Sequence, residues 1–127
     1  GGIAAYKTPE IVRQFTARGA EVRVVMARTA CEFVAIKTLE VLSRHPVYTD
    51  LFDRDREFSV LHVGLAEWAE VMLVAPATAH FLGRVAGGLA DDLLTTLMLS
   101  ATAPIFLSRT RCRRAHHKRH RIYGTRH

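Results

Sequence analysis

The chain has 127 residues, 49% of them hydrophobic, and a formal net charge of +6. That length holds at most one domain, and that apolar content excludes global disorder. No apolar run reaches membrane-spanning length and no signal peptide is visible, so a cytoplasmic protein with no membrane partner is expected.

Gly1-Gly2-Ile3-Ala4-Ala5 opens the chain with small residues. Ile11, Val12 and Phe15 at helical spacing predict a helix over Tyr6–Arg18, closed by Gly19. The Val-rich alternation of Glu21–Ala27 predicts a strand. Thr29, with Glu32 three residues on, predicts a capping box and a helix running to Leu42 before His45-Pro46. Val47–Phe58 is polar and irregular and reads as a surface loop with one short extended piece. Val60–Ala69 reads as a short amphipathic helix carrying His62 in its first turn.

Val71–Ala75 is a continuous apolar run, which predicts a strand buried on both faces. It runs into Pro76-Ala77-Thr78-Ala79, where small side chains would let a flat ligand approach the backbone. In open α/β sheets ligands bind at this carboxyl edge, although an ordinary strand-to-helix turn reads the same way. Ala79–Ala86 predicts a helix, Gly87-Gly88 a break, and Ala90–Ala101 a helix with Asp91 and Asp92 in its first turn. Pro104–Leu107 reads as a last buried strand. Strands alternating with helices make the fold class α/β, a parallel, doubly wound sheet with helices on both faces. A glycine-led phosphate loop ordinarily follows a central strand, and none precedes Gly1; the pattern also stops after Leu107. The expectation is therefore a domain truncated at both ends, with residues 1–107 as its body and 108–127 as a tail.

The tail carries the charge. Residues 109–127 hold eight Arg or Lys, no acid, and His116, His117, His120 and His127, leaving ten basic against twelve acidic residues elsewhere. It would meet nucleic acid only non-specifically, through phosphate, because Tyr123 is its sole aromatic residue and no recognition motif is present. Cys112 and its neighbouring histidines match no recognised zinc spacing, and no metal is expected. Cys31 and Cys112 lie far apart in unlike contexts and read as reduced thiols, Cys31 as buried and inert.

Several residues keep two readings on spacing alone. Gly1 and Gly2 before a helix could turn backbone N–H groups toward a phosphate, or be a flexible chain start. His62 is suited to proton transfer near neutral pH, yet a lone histidine is more often structural. Asp91 and Asp92 read as helix caps or as polar contacts to a ligand or partner chain. Trp68 reads as core, Tyr6 and Lys7 as solvated.

Four segments in order resemble one family: GGIAAYK at 1–7, EVRVVMARTACEFV at 21–34, LHVGLAEWAEVMLVAPATA at 61–79 and GLADDLLTTLML at 88–99. Residues 1–107 are similar to the flavin-dependent cysteine decarboxylases, above all those acting on 4′-phosphopantothenoylcysteine in coenzyme A biosynthesis. The resemblance implies a Rossmann-like flavoprotein fold, FMN, and homotrimers or higher homo-oligomers with sites at subunit interfaces. It puts Gly2 and Ile3 at the FMN loop, Pro76, Ala77 and Thr78 at the turn on the flavin, His62 as catalytic histidine, and Asp91 at flavin or interface contacts. The implied reaction oxidises the substrate thiol to a thioaldehyde, lets carbon dioxide leave, and returns the electrons to give 4′-phosphopantetheine.

The sequence also departs from the family pattern. Ala79-His80-Phe81 stands where Ala-Asn-Thr is usual, and Ala27 where Thr or Ser is common. After Leu107 the family continues Pro-Ala-Met-Asn, which grips the substrate carboxylate; here Ser108-Arg109-Thr110-Arg111 follows. The later flap with its reactive cysteine is missing, and its role does not transfer to Cys112. A shift of reading frame near Ser108 in GC-rich DNA would produce such Arg-heavy text. The expectation is an incomplete or inactive decarboxylase, the alternative a non-catalytic flavin-binding or oligomerisation module.

Overall fold

A computed structural model describes residues 3–49 and 57–109, with side chains for 4–49 and 62–109. In chain order the elements are a 3-10 turn at Ile3–Lys7, α1 at Thr8–Ala17, β1 at Val25–Met26, a 3-10 turn at Arg28–Glu32, α2 at Ile36–Ser43 and β2 at Tyr48–Thr49. There follow α3 at Glu57–Trp68, β3 at Met72–Ala77, α4 at Ala79–Ala86, α5 at Leu93–Ser100 and β4 at Ile105–Arg109. Strands β1 and β2 pair in parallel, Val25 opposite Tyr48. Strands β3 and β4 also pair in parallel, Met72 opposite Ile105 and Val74 opposite Leu107. No ladder joins the two pairs among the described residues.

The expected first helix is split. Pro9 lacks an N–H and fixes φ, which suits the first turn of an α-helix, so α1 begins at Thr8 and the residues before it tighten into a 3-10 turn. Its end follows the sequence. Gly19 N–H bonds to Thr16 O and Ala20 N–H to Phe15 O, both at 3.1 Å, a Schellman closure that requires the left-handed conformation found at Gly19 (φ 86°). The expected helix from Thr29 to Leu42 is also broken, into the second 3-10 turn and α2. The Thr29–Glu32 capping box does not form: Ala27 precedes the turn and no side chain caps it. Arg44 closes α2 with φ 62°, a left-handed position held without glycine.

Among the described residues two apolar clusters form the core. The first joins Ala5, Val12, Val24, Met26, Val34 and Leu39 between α1, α2 and the β1 pair. The second joins Val74, Ala77 and Phe81, backed by Leu82, Val85, Leu94, Met98 and Ile105. Helices α1 and α2 pack on each other, as do α3 and α5. Parallel strands with helices on more than one side confirm the α/β class. Burial is thinner than the sequence suggests. Leu73 and its register partner Phe106 are 41% and 59% exposed, and β4 is exposed beyond Ile105, so neither strand is buried on both faces. The helices cover the Val74 face of this pair and leave the Leu73 face bare. Trp68 is half exposed, its ring stacked by the Arg23 guanidinium at 5.3 Å rather than enclosed as core.

Candidate functional site

The Ala75–Thr78 turn is built by a mismatch in the β3–β4 ladder. Val74 pairs with Leu107 and Ala77 with Arg109, so Ala75 and Pro76 together oppose Ser108. Proline cannot donate to a ladder and is tolerated at such a bulge. The Ala75–Pro76 peptide bond is cis. The bulge lifts the backbone from β4 at the carboxyl end of β3 and leaves only small side chains on it. Ala77 is buried beneath, while Ala75, Pro76 and Thr78 are half-buried.

Thr78 closes the turn. Its Oγ1 accepts from Phe81 N–H at 3.2 Å, the N-cap of α4, which anchors Phe81 in the second cluster. The hydroxyl keeps its own proton, so one group both starts the helix and offers a donor at the sheet edge. A second strand of chain reaches the same place. The Thr8 hydroxyl donates to the Ala75 carbonyl at 3.4 Å, and the Ile3–Lys7 turn contacts β3. The start of α1 is thereby brought onto the turn across 67 positions of sequence.

The structure thus gathers Pro76, Ala77, Thr78 and the segment of Ile3. Gly1 and Gly2 lie outside the described residues. His62 is half-buried on α3, which packs principally against α5. Asp91 follows α4 and precedes α5. It is exposed and held by Arg84 of α4, about 9 Å along that helix from Thr78. Asp92 caps α5 instead of sitting inside its first turn. Its Oδ1 accepts from Thr95 N–H and from the Thr95 hydroxyl, each at 2.7 Å, while the Thr95 hydroxyl also lies 3.3 Å from Asp92 N–H and completes the box. Burial pushes the Asp92 carboxyl up, but the two Thr95 bonds and the Arg84 charge outweigh it and hold the carboxyl below its ordinary range. Cys31 is half-buried within the second 3-10 turn, not on a helix face, and burial pushes its thiol up.

Two contributors were not legible as site residues, Thr8 and Arg84. Thr8-Pro9 was readable as a helix start, but nothing local says which carbonyl the hydroxyl meets. Arg84 stands seven residues before Asp91 with Gly87-Gly88 between, a spacing that lets the chain fold back on α4. A hollow of about 260 Å³ between Thr16, Gly19, Glu21, Ser43, Arg44 and His45 is at the wrong end. Its loops lead into β1 and β2 from their amino ends, whereas α/β sheets bind ligands at the carboxyl edge.

A bulged turn of small residues at the carboxyl edge of parallel strands, with a helix start docked on it, places the candidate site where α/β proteins bind their ligands. The family model described as Flavoprotein matches residues 1–108, and the chain belongs to that family. It is 45% identical over 108 residues to the coenzyme A biosynthesis bifunctional protein CoaBC of Bacillus subtilis strain 168, covering 85% of this chain and 27% of that protein. The chain therefore spans about a quarter of the length of this curated relative. Among solved structures, the FMN-dependent cysteine decarboxylase TvaF from thioviridamide biosynthesis superposes with a TM-score of 0.78 at 25% identity, over 89% of this chain and 70% of that one. A PPC decarboxylase variant complexed with pantothenoylaminoethenethiol superposes with a TM-score of 0.72 at 28% identity, over 96% of this chain and 71% of that one. A flavin is the cofactor class of this family.

Proposed function

We propose that this chain is an FMN-binding domain of the decarboxylase type, acting on 4′-phosphopantothenoylcysteine to give 4′-phosphopantetheine in coenzyme A biosynthesis. The observation that carries the reading is the docking of the Ile3–Lys7 turn and Thr8 onto the bulged Ala75–Thr78 turn. That junction fits the cofactor. Bare backbone beside Ala75 and Pro76 accepts a flat ring, Thr78 offers a hydroxyl proton, and the Ile3–Lys7 turn reaches the same edge. Gly2 and Ile3 would hold the phosphate end, and Pro76, Ala77 and Thr78 the ring. When bound, FMN supplies the two-electron chemistry that makes the carboxylate of a cysteine able to leave.

The protein's share is placement and proton control. The Ala75 methyl and Pro76 ring would exclude water from one side of the bound group, while the Thr78 hydroxyl would supply a donor beside it. His62 is the group for holding or moving a proton at the substrate, because one imidazole nitrogen can accept a proton while the other donates one. Asp91, tied to Arg84, serves the flank of the site rather than the ring. The domain comprises residues 1–107, with β4 continuing it to Arg109, and the remaining tail acts outside it. Because Ser108 and Arg109 stand where the resemblance puts a substrate-gripping asparagine segment, turnover by this chain is low. A homo-oligomer that completes the site between subunits belongs to the same proposal.

The test loads the purified chain with FMN, passes it through gel filtration and adds carboxyl-labelled 4′-phosphopantothenoylcysteine. Retained flavin with slow release of labelled carbon dioxide is expected. Retained flavin with no release above an FMN-only blank favours the non-catalytic module, which the Ser108-Arg109 ending of β4 supports. Folded protein that loses all flavin overturns both readings.

A further inference from the structure

Strand β4 delivers one cation to the bulged turn. Arg109 and Ala77 are register partners, so their Cα atoms lie about 5 Å apart, the spacing of neighbouring strands. Alternate residues of a strand share a face. Ile105 packs in the second cluster, so Leu107 and Arg109 lean toward the side that α4 covers, whereas Phe106 and Ser108 face the bare side. Val74 and Ala77, opposite Leu107 and Arg109, are buried in that same cluster, which agrees. The Arg109 side chain therefore leaves β4 on the side where Thr78 starts α4.

No acid holds this guanidinium. Among the described residues Arg13, Arg23 and Arg84 are bound to carboxylates, while Arg109, exposed at the end of its strand, has none within ion-pair distance. Asp91 and Asp92, which follow α4, are both taken by Arg84. The Thr78 hydroxyl has a proton to donate at the same edge, and His80, exposed in the first turn of α4, brings a ring N–H. Donors without a competing acid suit an anion. The planar fork of arginine suits a carboxylate, which it meets with two parallel N–H···O bonds.

We infer that Arg109 receives the carboxylate of a ligand lying on the Ala75–Thr78 turn and sets this chain's preference for ligands that carry one. The inference rests on the substrate proposed above. In 4′-phosphopantothenoylcysteine the carboxylate and the thiol stand on adjacent carbons, so a thiol at the turn brings the carboxylate with it, while the phosphate lies at the far end of an extended arm. Arg109 acts on the ground state of that substrate. When the carbon–carbon bond breaks, its electron pair stays on the substrate carbon and the charge leaves the carboxylate, so the fork holds the substrate more firmly than the reacting state. It strengthens binding without raising the rate.

The experiment titrates the full chain, supplied with FMN, by calorimetry with 4′-phosphopantothenoylcysteine and two relatives. Pantothenoylcysteine keeps the carboxylate without the phosphate, and 4′-phosphopantetheine keeps the phosphate without the carboxylate. Wild type is compared with Arg109→Gln and with Arg109→Lys, which keeps the charge but not the fork. The expected result is that Arg109→Gln weakens both carboxylates about tenfold and leaves 4′-phosphopantetheine within about twofold, with Arg109→Lys between. Unaltered affinity of Arg109→Gln for the carboxylates overturns the inference. So does equal weakening of 4′-phosphopantetheine, which would make Arg109 a phosphate contact, and so does a wild-type chain that binds neither carboxylate. Arg109 is exposed at a strand end, so a wild-type urea midpoint is expected of both variants. Flavin is read from the visible spectrum of the same samples. A chain that discriminates through Arg109 yet holds no flavin refutes the FMN reading alone.

Discussion

Asp92→Ala tests whether the start of α5 is held as described. The substitution removes the acceptor for Thr95 N–H at 2.7 Å, an N-cap of about 1 kcal/mol. It also removes the carboxylate that Arg84 meets at 2.9 Å, a partly exposed pair contributing less than about 1 kcal/mol. The fully buried Thr95 hydroxyl is not orphaned, because the Asp92 carbonyl remains 3.2 Å away. The loss is therefore about 1.5 kcal/mol and not the larger cost of a buried unsatisfied group. Asp92→Asn keeps the cap and should cost about 0.5 kcal/mol. Because the folded carboxyl titrates below its ordinary value, its charge stabilises the fold at neutral pH, and that contribution disappears as pH falls through the folded value. The gap between wild type and Asp92→Asn should thus be constant from about pH 5 upward and close in acid. Urea denaturation at a series of pH values reads all three quantities. An alanine variant as stable as wild type at pH 7, or an asparagine variant as damaged as the alanine one, would refute the reasoning.

Other outcomes follow from single residues. Arg44→Gly should raise stability by about 1 kcal/mol, since a side chain at φ 62° is strained and glycine is not; a lower urea midpoint would contradict this. Phe81→Ala should cost about 3 kcal/mol by opening the second cluster, where the ring is 6% exposed, and denaturation again measures it. His62→Asn should leave the affinity for FMN within about twofold while abolishing carbon dioxide release in a version that turns over, which separates a proton-handling role from a binding one. Removing residues 109–127 should eliminate salt-sensitive retention on immobilised DNA, and equal retention without them would place the binding elsewhere.

The elements that announce themselves locally were legible. Gly19 marks the end of α1 because glycine acts through its own backbone, whereas the start was expected at Tyr6 and Pro9 moves it to Thr8. Asp92 reads as a cap for the same reason. The turn after β3 was visible as a candidate site because small residues followed an apolar strand. What local pattern could not show was pairing. The strand expected over Glu21–Ala27 is only two residues long, and Leu73 and Phe106 leave one face of β3–β4 bare, because burial depends on neighbours distant in sequence. Thr8 and Arg84 escaped notice for a related reason: their partners, Ala75 and Asp91, are set by the fold. Thr29 carried the right cap chemistry, but the chain tightened into a 3-10 turn from Arg28 and left its hydroxyl unused as a cap.

The central claim is that FMN seats on the Ala75–Thr78 turn. Titration of the folded chain with FMN, followed by flavin fluorescence and by the visible spectrum, tests it directly when Thr78→Val is measured beside wild type. The account predicts saturable binding at one flavin per chain, weakened about tenfold by Thr78→Val through loss of a hydroxyl donor. A chain with an intact cooperative unfolding transition that leaves the flavin signal unchanged would contradict it.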